Sequence, residues 1–96
     1  MSKFVLSETM ITVDESDIEI TIEKGSTCII RPLTATHNWK TLLNSGYTDG
    51  DVIETLLSDY LSYEFFTDGY KLVSGILSYV DLPKFIKLNG LEIIDD

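Results

Sequence analysis

Residues 48–80, TDGDVIETLLSDYLSYEFFTDGYKLVSGILSYV, decide how the rest of the chain is interpreted. Apolar residues in both halves of this stretch recur at positions i, i+1, i+4 and i+5, which is the spacing of one helix face. An amphipathic helix must bury its apolar face against another layer. We therefore predict two helices that pack on each other and organise the core. Their apolar faces are Val52, Ile53, Leu56, Leu57, Tyr60 and Leu61 in the first, and Leu72, Val73, Ile76, Leu77 and Val80 in the second.

The ends of these two helices have recognisable signals. Thr48 is the predicted N-cap of the first, with Asp51 at the third helical position as in a capping box. Tyr47 and Val52 are placed to form a hydrophobic staple across that end. The pattern breaks between residues 64 and 69, so the following helix is predicted over 68–80.

The N-terminal part of the chain has the pattern of strands. Isoleucines at 18, 20 and 22 alternate with polar residues, which is typical of a half-buried antiparallel strand. Pro32 ends the last of these segments. We predict a small antiparallel meander made from Lys3–Leu6, Met10–Val13, 18–23 and Ser26–Arg31.

Two further elements complete the fold prediction. Trp39, Leu42 and Leu43 have helical spacing before Gly46, so a short helix is predicted over 36–45, capped by Thr34 or Thr36. Asn89-Gly90 lies between two apolar runs, which is a strong signal for a terminal β-hairpin over 85–94. The order of elements predicts a single α+β domain, 1–96, resembling a winged helix-turn-helix, with an N-terminal sheet, three helices and a C-terminal hairpin.

The charge of the chain restricts the class of partner. Seven basic and 16 acidic residues give a net charge of −9. Proteins that bind nucleic acids directly need a basic surface, and anionic membrane surfaces also attract cations. Neither partner is expected. Acidity is consistent with solubility, with a basic protein partner, or with mimicry of a nucleic acid.

Catalytic and metal-binding patterns are not found in the sequence. His37 and Cys28 are the only histidine and the only cysteine. Neither belongs to a nucleophile motif, and a zinc site needs three or four protein ligands. The acidic clusters 14–19 and 49–54 lack the spacing of a calcium loop. We expect no enzyme activity, no metal and no cofactor.

The N-terminal segment MSKFVLSETM does not match a signal peptide, and no apolar run reaches 18 residues. A cytoplasmic location is therefore expected. Phe65-Phe66 is interpreted mainly as core, together with Trp39, Tyr47 and Tyr60. A partner-binding patch at Phe65-Phe66 is the alternative, and would suit an assembly protein.

The stretches WKTLLNSGYTDGDVIETLLSDY (39–60) and DGYKLVSGILSYV (68–80), following three strands, resemble the PqqD-like RiPP precursor recognition elements. Members of that family are small non-catalytic modules that bind the leader segment of a ribosomally made peptide. The resemblance implies that the leader adds as a strand beside the third strand and packs against the third helix. The predicted terminal hairpin departs from the family pattern. The implied peptide-binding residues are Thr27, Cys28, Ile29, Ile30 and Arg31 on the strand, and Tyr70, Lys71, Val73, Ser74 and Leu77 on the helix.

This hypothesis requires strand 26–31 to be an open sheet edge. The alternative is that residues 3–6 or the C-terminal hairpin cover it. A second hypothesis is a small acidic inhibitor, of a type encoded by phages, that mimics nucleic acid and blocks a basic nucleic-acid-binding protein. In both cases the partner is a protein or peptide with a basic or apolar contact surface. The acidic surface of the second hypothesis consists of Asp49, Asp51, Glu54, Asp59, Glu64 and Asp68.

Overall fold

The computed structural model describes residues 2–14 and 16–95. It has an α+β fold, as predicted, with seven strands and three α-helices among these residues. In chain order the elements are β1 (Ser2–Leu6), β2 (Met10–Val13), β3 (Glu19–Ile22), β4 (Thr27–Pro32), a 3-10 turn (Leu33–Ala35), α1 (Trp39–Asn44), α2 (Gly50–Asp59), β5 (Tyr60–Thr67), β6 (Tyr70–Ser78), a second 3-10 turn (Tyr79–Asp81), α3 (Leu82–Leu88) and β7 (Leu91–Asp95).

Five strands form one antiparallel sheet in the order β6-β5-β4-β1-β7, and β2 and β3 form a separate two-stranded sheet. The four predicted N-terminal strands are confirmed. The meander is wrong, because β4 pairs with β1 and with β5, whereas β3 pairs with β2.

The predicted helix 68–80 is wrong, because this segment forms β6. Strands β5 and β6 are joined by Asp68-Gly69, whose φ angles are 52° and 82°. Two positive φ angles are those of the type I′ turn, which favours Asp-Gly because its twist matches that of paired strands. Apolar residues at 72, 73, 76 and 77 fit a helix face, and the partner strand β5 is what selects the extended form.

The predicted terminal hairpin over 85–94 is also wrong. Residues 82–88 are helical, with Pro83 in the first turn, where a missing N–H costs nothing. Gly90 follows the helix with φ 59°, and Asn89 Nδ2 donates to the Phe85 carbonyl at 2.9 Å. Asn-Gly therefore ends α3 instead of turning a hairpin. The winged helix-turn-helix outline is not confirmed, because its third helix is β6 and its hairpin is α3 followed by β7.

The predicted helix 36–45 and the start of the second predicted helix are confirmed as α1 and α2, with different caps. The continuation of the second helix through Tyr60 and Leu61 is wrong, because α2 ends at Asp59 and Tyr60–Thr67 forms β5. Helix α1 lies within the predicted 36–45, and Asn38 is its N-cap, with Oδ1 accepting from the Thr41 N–H at 2.9 Å. Helix α2 is capped by Asp49 in place of Thr48, since its Oδ1 accepts from the Asp51 and Val52 N–H groups at 2.9 and 3.3 Å.

The main core lies on one face of the five-stranded sheet. Apolar residues from both smaller layers, the β2–β3 sheet and α3, pack against it. Leu33, Leu42 and Ile53 are also buried, on the 3-10 turn, α1 and α2. Trp39 and Tyr47, predicted as core, are exposed. The main core consists of Phe4, Leu6, Ile22, Cys28, Ile30, Leu61, Phe65, Leu77 and Leu91.

None of the helices described in residues 2–14 and 16–95 has the length and apolarity needed to cross a membrane.

Candidate peptide-binding edge

Strand β4 contains the predicted strand side of the binding site, and it is an interior strand. Thr27 faces Val5 on β1 and Phe66 on β5, and Arg31 faces Ser62. With a strand on each side, little of the backbone of β4 is left to accept another peptide. Cys28 and Ile30 are moreover buried in the core. The open edge at 26–31 that the peptide-binding hypothesis required is therefore not formed, and the stated alternative, that residues 3–6 cover this strand, is confirmed on its β1 side.

The outer strands of the sheet are β6 and β7. Strand β6 pairs with β5 through Tyr60–Thr67, and no strand of the described chain pairs with its other side. All five residues predicted for the helix side of the site lie on this outer strand: Tyr70, Lys71, Val73, Ser74 and Leu77.

The two faces of β6 differ in chemistry. Val73 and Leu77 face Phe65 and Leu61 across the hairpin and lie on the core side, where Leu77 is only 8% exposed. Lys71 contacts Glu64, and so lies on the opposite face. Val73 and Leu77 therefore contribute to the core. A partner would contact the unpaired backbone edge of β6 and the side chains on its exposed face.

A β-bulge interrupts the β5–β6 pairing. The register shifts between Phe65 and Phe66, which face Val73 and Lys71 respectively, so Leu72 is the extra residue. Bulges are common on edge strands and at functional sites, where they redirect side chains and increase twist. The exposed Leu72 side chain is part of the accessible surface of β6.

Three concavities accompany β6 along its length. One of ≈ 360 Å³ separates it from the turn of the β2–β3 sheet, next to Val13 and Asp14. Another of ≈ 340 Å³ lies between the end of β6 and α3, next to Phe85. The third, of ≈ 380 Å³, contains His37, Glu64 and Lys71. Shallow recesses on both sides of one outer strand provide space for the side chains of an added segment.

A row of three charges crosses the sheet beside the third concavity. Arg31 on β4 forms an ion pair with Glu64 on β5, and Lys71 Nζ lies 3.7 Å from Glu64 Oε2. The Glu64 side chain is only 13% exposed. Because two cations neutralise Glu64, it does not belong to a free acidic surface, contrary to prediction.

The remaining predicted acidic residues are exposed. Asp49, Asp51, Glu54 and Asp59 lie on α2 or at its N-cap, and Asp68 lies in the β5–β6 turn. Asp49 is engaged as the cap, although its second carboxylate oxygen has no hydrogen bond within the described residues. Three carboxylates on α2 and a fourth at its N-cap concentrate negative charge at this part of the surface.

The other candidate groups have structural environments. Phe65 is buried in the core and Phe66 is partly buried, so the predicted alternative of an exposed Phe65-Phe66 patch is wrong. Burial raises the pKa of the Cys28 thiol from 9.0 to about 12, which makes the nucleophilic thiolate scarce. His37 Nδ1 lies 2.9 Å from Thr36 Oγ1. No cluster of three metal-ligating side chains is found in the described part of the chain.

Two sequence signals that the helix prediction passed over indicate a hairpin at β5 and β6. Residues 61–65, Leu-Ser-Tyr-Glu-Phe, alternate apolar and polar residues, the period of a strand. Asp68-Gly69 follows at the position of a two-residue hairpin loop. Together they indicate the β5–β6 hairpin and a strand at 70–78, whereas the position of that strand at the edge of the sheet depends on the tertiary structure.

The chain matches no family model, no curated protein and no solved structure. The resemblance to PqqD-like recognition elements stays a prediction. The strand-and-helix groove that it implied is not formed, because its helix is the strand β6.

Proposed function

We propose that this protein is a non-catalytic module that binds an extended segment of a partner protein along the outer edge of β6. The observation that supports this most is the position of β6, which is paired with β5 on one side and with no strand of the described chain on the other. An unpaired edge presents backbone N–H and C=O groups that accept an added strand.

The length and surroundings of β6 favour binding with specificity. The strand spans Tyr70–Ser78, which is nine residues, above the usual five or six for a strand. In strand addition the backbone supplies affinity, while recesses for alternate side chains supply specificity. The concavities on the two faces of β6 are suited to that second role.

The other outer strand, β7, is a weaker candidate. It has five residues, Leu91–Asp95, and none of them lines the three concavities beside β6. Its exposed Ile93 and Ile94 nevertheless make it the appropriate control edge.

The exposed side chains of β6 indicate the chemistry of the partner. Tyr70, Leu72 and Ile76 are exposed apolar side chains on this strand. The net charge of −9 attracts basic segments at long range. A segment of mixed apolar and basic residues is therefore expected.

Selection from a library of displayed random 12-residue peptides tests the proposal. Amide hydrogen exchange of the protein with a selected peptide is expected to slow at residues 70–78. Ile76→Lys places an unpaired cation on the exposed side of β6, and is expected to weaken binding at least about tenfold. The control Ile93→Lys makes the same change at the other edge and is expected to change binding less than about twofold.

Protection at 91–95, or equal effects of the two substitutions, would contradict the proposal. Leu77→Asp is not suitable as a test, because it places a charge in the core and unfolds the protein for a reason unrelated to binding.

The acidic inhibitor is a second candidate function, favoured by a specific observation. Asp49, Asp51, Glu54 and Asp59 are exposed, and residues 41–70 contain no Lys, Arg or His. Such a surface is suited to a basic nucleic-acid-binding channel, with attraction that weakens as salt rises.

A variant with four amides, D49N/D51N/E54Q/D59N, separates this function from the first. Asn is as good an N-cap as Asp, so α2 is expected to remain folded. If the inhibitor function is correct, nucleic-acid-binding proteins captured from the native host elute from the wild-type protein in a salt gradient and are absent with the variant. Equal capture by both proteins would exclude it.

A further inference from the structure

We infer that the segment bound along β6 carries an acidic side chain next to Lys71. This inference rests on the proposed function and specifies the partner it takes. Its basis is the charge row formed by Arg31 on β4, Glu64 on β5 and Lys71 on β6. The signs alternate from strand to strand, and the row ends in a cation at the outer edge of the sheet.

The one inner member of the row, Glu64, has a cation on each side. Glu64 lies between Arg31 and Lys71, whereas Lys71 has Glu64 on one side only. The Lys71 ammonium is 3.7 Å from the Glu64 carboxylate, a loose contact, and its side chain is 54% exposed. The lysine is therefore free to contact a second carboxylate without losing much of the first contact.

A strand added beside β6 would place one of its side chains opposite Lys71. Neighbouring strands are about 4.8 Å apart, and side chains directly opposite each other have Cβ atoms about 5 Å apart. A residue of the bound segment that projects to the same face as Lys71 continues the row of Arg31, Glu64 and Lys71. Opposite charges at such cross-strand positions are favourable and like charges are unfavourable.

The charge row beside this concavity has a net charge opposite in sign to that of the whole protein. Arg31 and Lys71 are two cations and Glu64 is one anion, so the row carries one excess positive charge, and Glu64 and Lys71 line the concavity. Ser74 also lines the concavity, and its hydroxyl group can donate to a carboxylate. The preference for an acidic residue concerns only the position of the bound segment next to Lys71. The net charge of −9 favours basic residues elsewhere in that segment.

A second copy of this chain fits less well. Pairing of β6 with β6 of another copy brings no carboxylate to Lys71, because Tyr70–Ser78 contains no Asp or Glu. Two copies also repel each other through their net charge of −9. A heterologous segment is therefore the expected occupant.

A peptide selected on the wild-type protein, scanned with Glu, Gln and Lys at each position in turn, tests the inference. Binding is measured with the wild-type protein, with Lys71→Gln and with Lys71→Glu. At one position the wild type is expected to prefer Glu over Lys by at least about fivefold. Lys71→Gln is expected to remove this preference and Lys71→Glu to reverse it.

Lys87→Gln is the matched control, because Lys87 is an exposed cation on α3 that lines none of the three concavities beside β6. It is expected to leave the preference unchanged. If the peptides protect residues 70–78 but show no preference that depends on Lys71, the inference is wrong and the proposed function stands. If no peptide protects 70–78, or sedimentation shows that β6 is covered by self-association, both are wrong.

Discussion

Tyr63 on β5 lies across Gly75, its cross-strand partner on β6. A Cβ built on Gly75 would overlap the phenol group of Tyr63. The same ring packs on Phe65 and Phe85, with centroid distances of 5.9 and 4.8 Å. Because the glycine has no side chain, the aromatic ring extends towards the sheet edge while keeping its contact with α3.

Gly75→Ala is therefore expected to destabilise the protein by about 1–3 kcal/mol, since the added methyl group forces Tyr63 out of its position. Denaturant unfolding measures this. In a Tyr63→Ala background the same substitution is expected to be neutral or stabilising, because Ala is better than Gly in a strand. Equal costs in the two backgrounds would show that Tyr63 is not the cause.

Gly69→Ala is expected to destabilise the β5–β6 hairpin. Gly69 has φ 82° in the type I′ turn, and this conformation costs an L-residue about 1–2 kcal/mol. The matched control is Gly50→Ala at the start of α2, where an added Cβ meets only Trp39 at 3.7 Å and helix propensity improves. Thermal unfolding is expected to show a lower Tm for Gly69→Ala and an equal or higher Tm for the control.

Asp49→Ala is expected to cost about 1 kcal/mol of stability, because the Asp51 and Val52 N–H groups lose their acceptor. Thr48→Ala, one residue earlier, is expected to have an effect within about 0.5 kcal/mol, as for most exposed positions. A larger loss for Thr48→Ala in urea unfolding would restore Thr48 as the cap and contradict the hydrogen bonds seen here.

The buried Cys28 thiol links stability to alkaline pH. Its pKa is raised from 9.0 to about 12 by burial, which disfavours the thiolate. Between these values the unfolded chain ionises and the folded protein does not, so the free energy of unfolding decreases with rising pH, by up to about 1.4 kcal/mol per unit. Burial raises the pKa of Tyr63 also, which adds a decrease of the same sign.

Cys28→Ala removes the thiol and is expected to give a shallower loss of stability between pH 9 and 12 than the wild type. Reaction of native Cys28 with a disulfide reagent at pH 8 is expected to be slow, because the residue is 0% exposed, and to become fast in denaturant. Fast reaction of the native protein would contradict this burial.

The predictions from sequence that succeeded depended on local patterns that fit only a helix or only a strand. Strand Met10–Val13 was predicted with its exact bounds, and α1 lies inside the predicted range. The predictions that failed depended on patterns with two interpretations. Apolar residues at 72, 73, 76 and 77 suit a helix face and also a strand that is partly buried on both sides.

The two Asx-Gly pairs illustrate the same ambiguity. Asp68-Gly69 turns a hairpin, and Asn89-Gly90 ends a helix, although both glycines have positive φ. An Asx-Gly pair readily adopts positive φ, but the neighbouring elements decide whether it forms a hairpin turn or ends a helix. The structure separates the two sides of the predicted site. Its five helix-side residues lie on the outer strand β6, while β4 is interior because β1 pairs with it through contacts distant in sequence.

The sequence by itself determined the α+β class, the N-terminal strands, the two central helices and the acidic character of α2, because periodicity, caps and charge are local properties. Only the tertiary structure decided that β4 is interior and that β6 is the open edge. The order of strands in a sheet depends on which distant segments bury each other's apolar faces, and no local pattern encodes that choice.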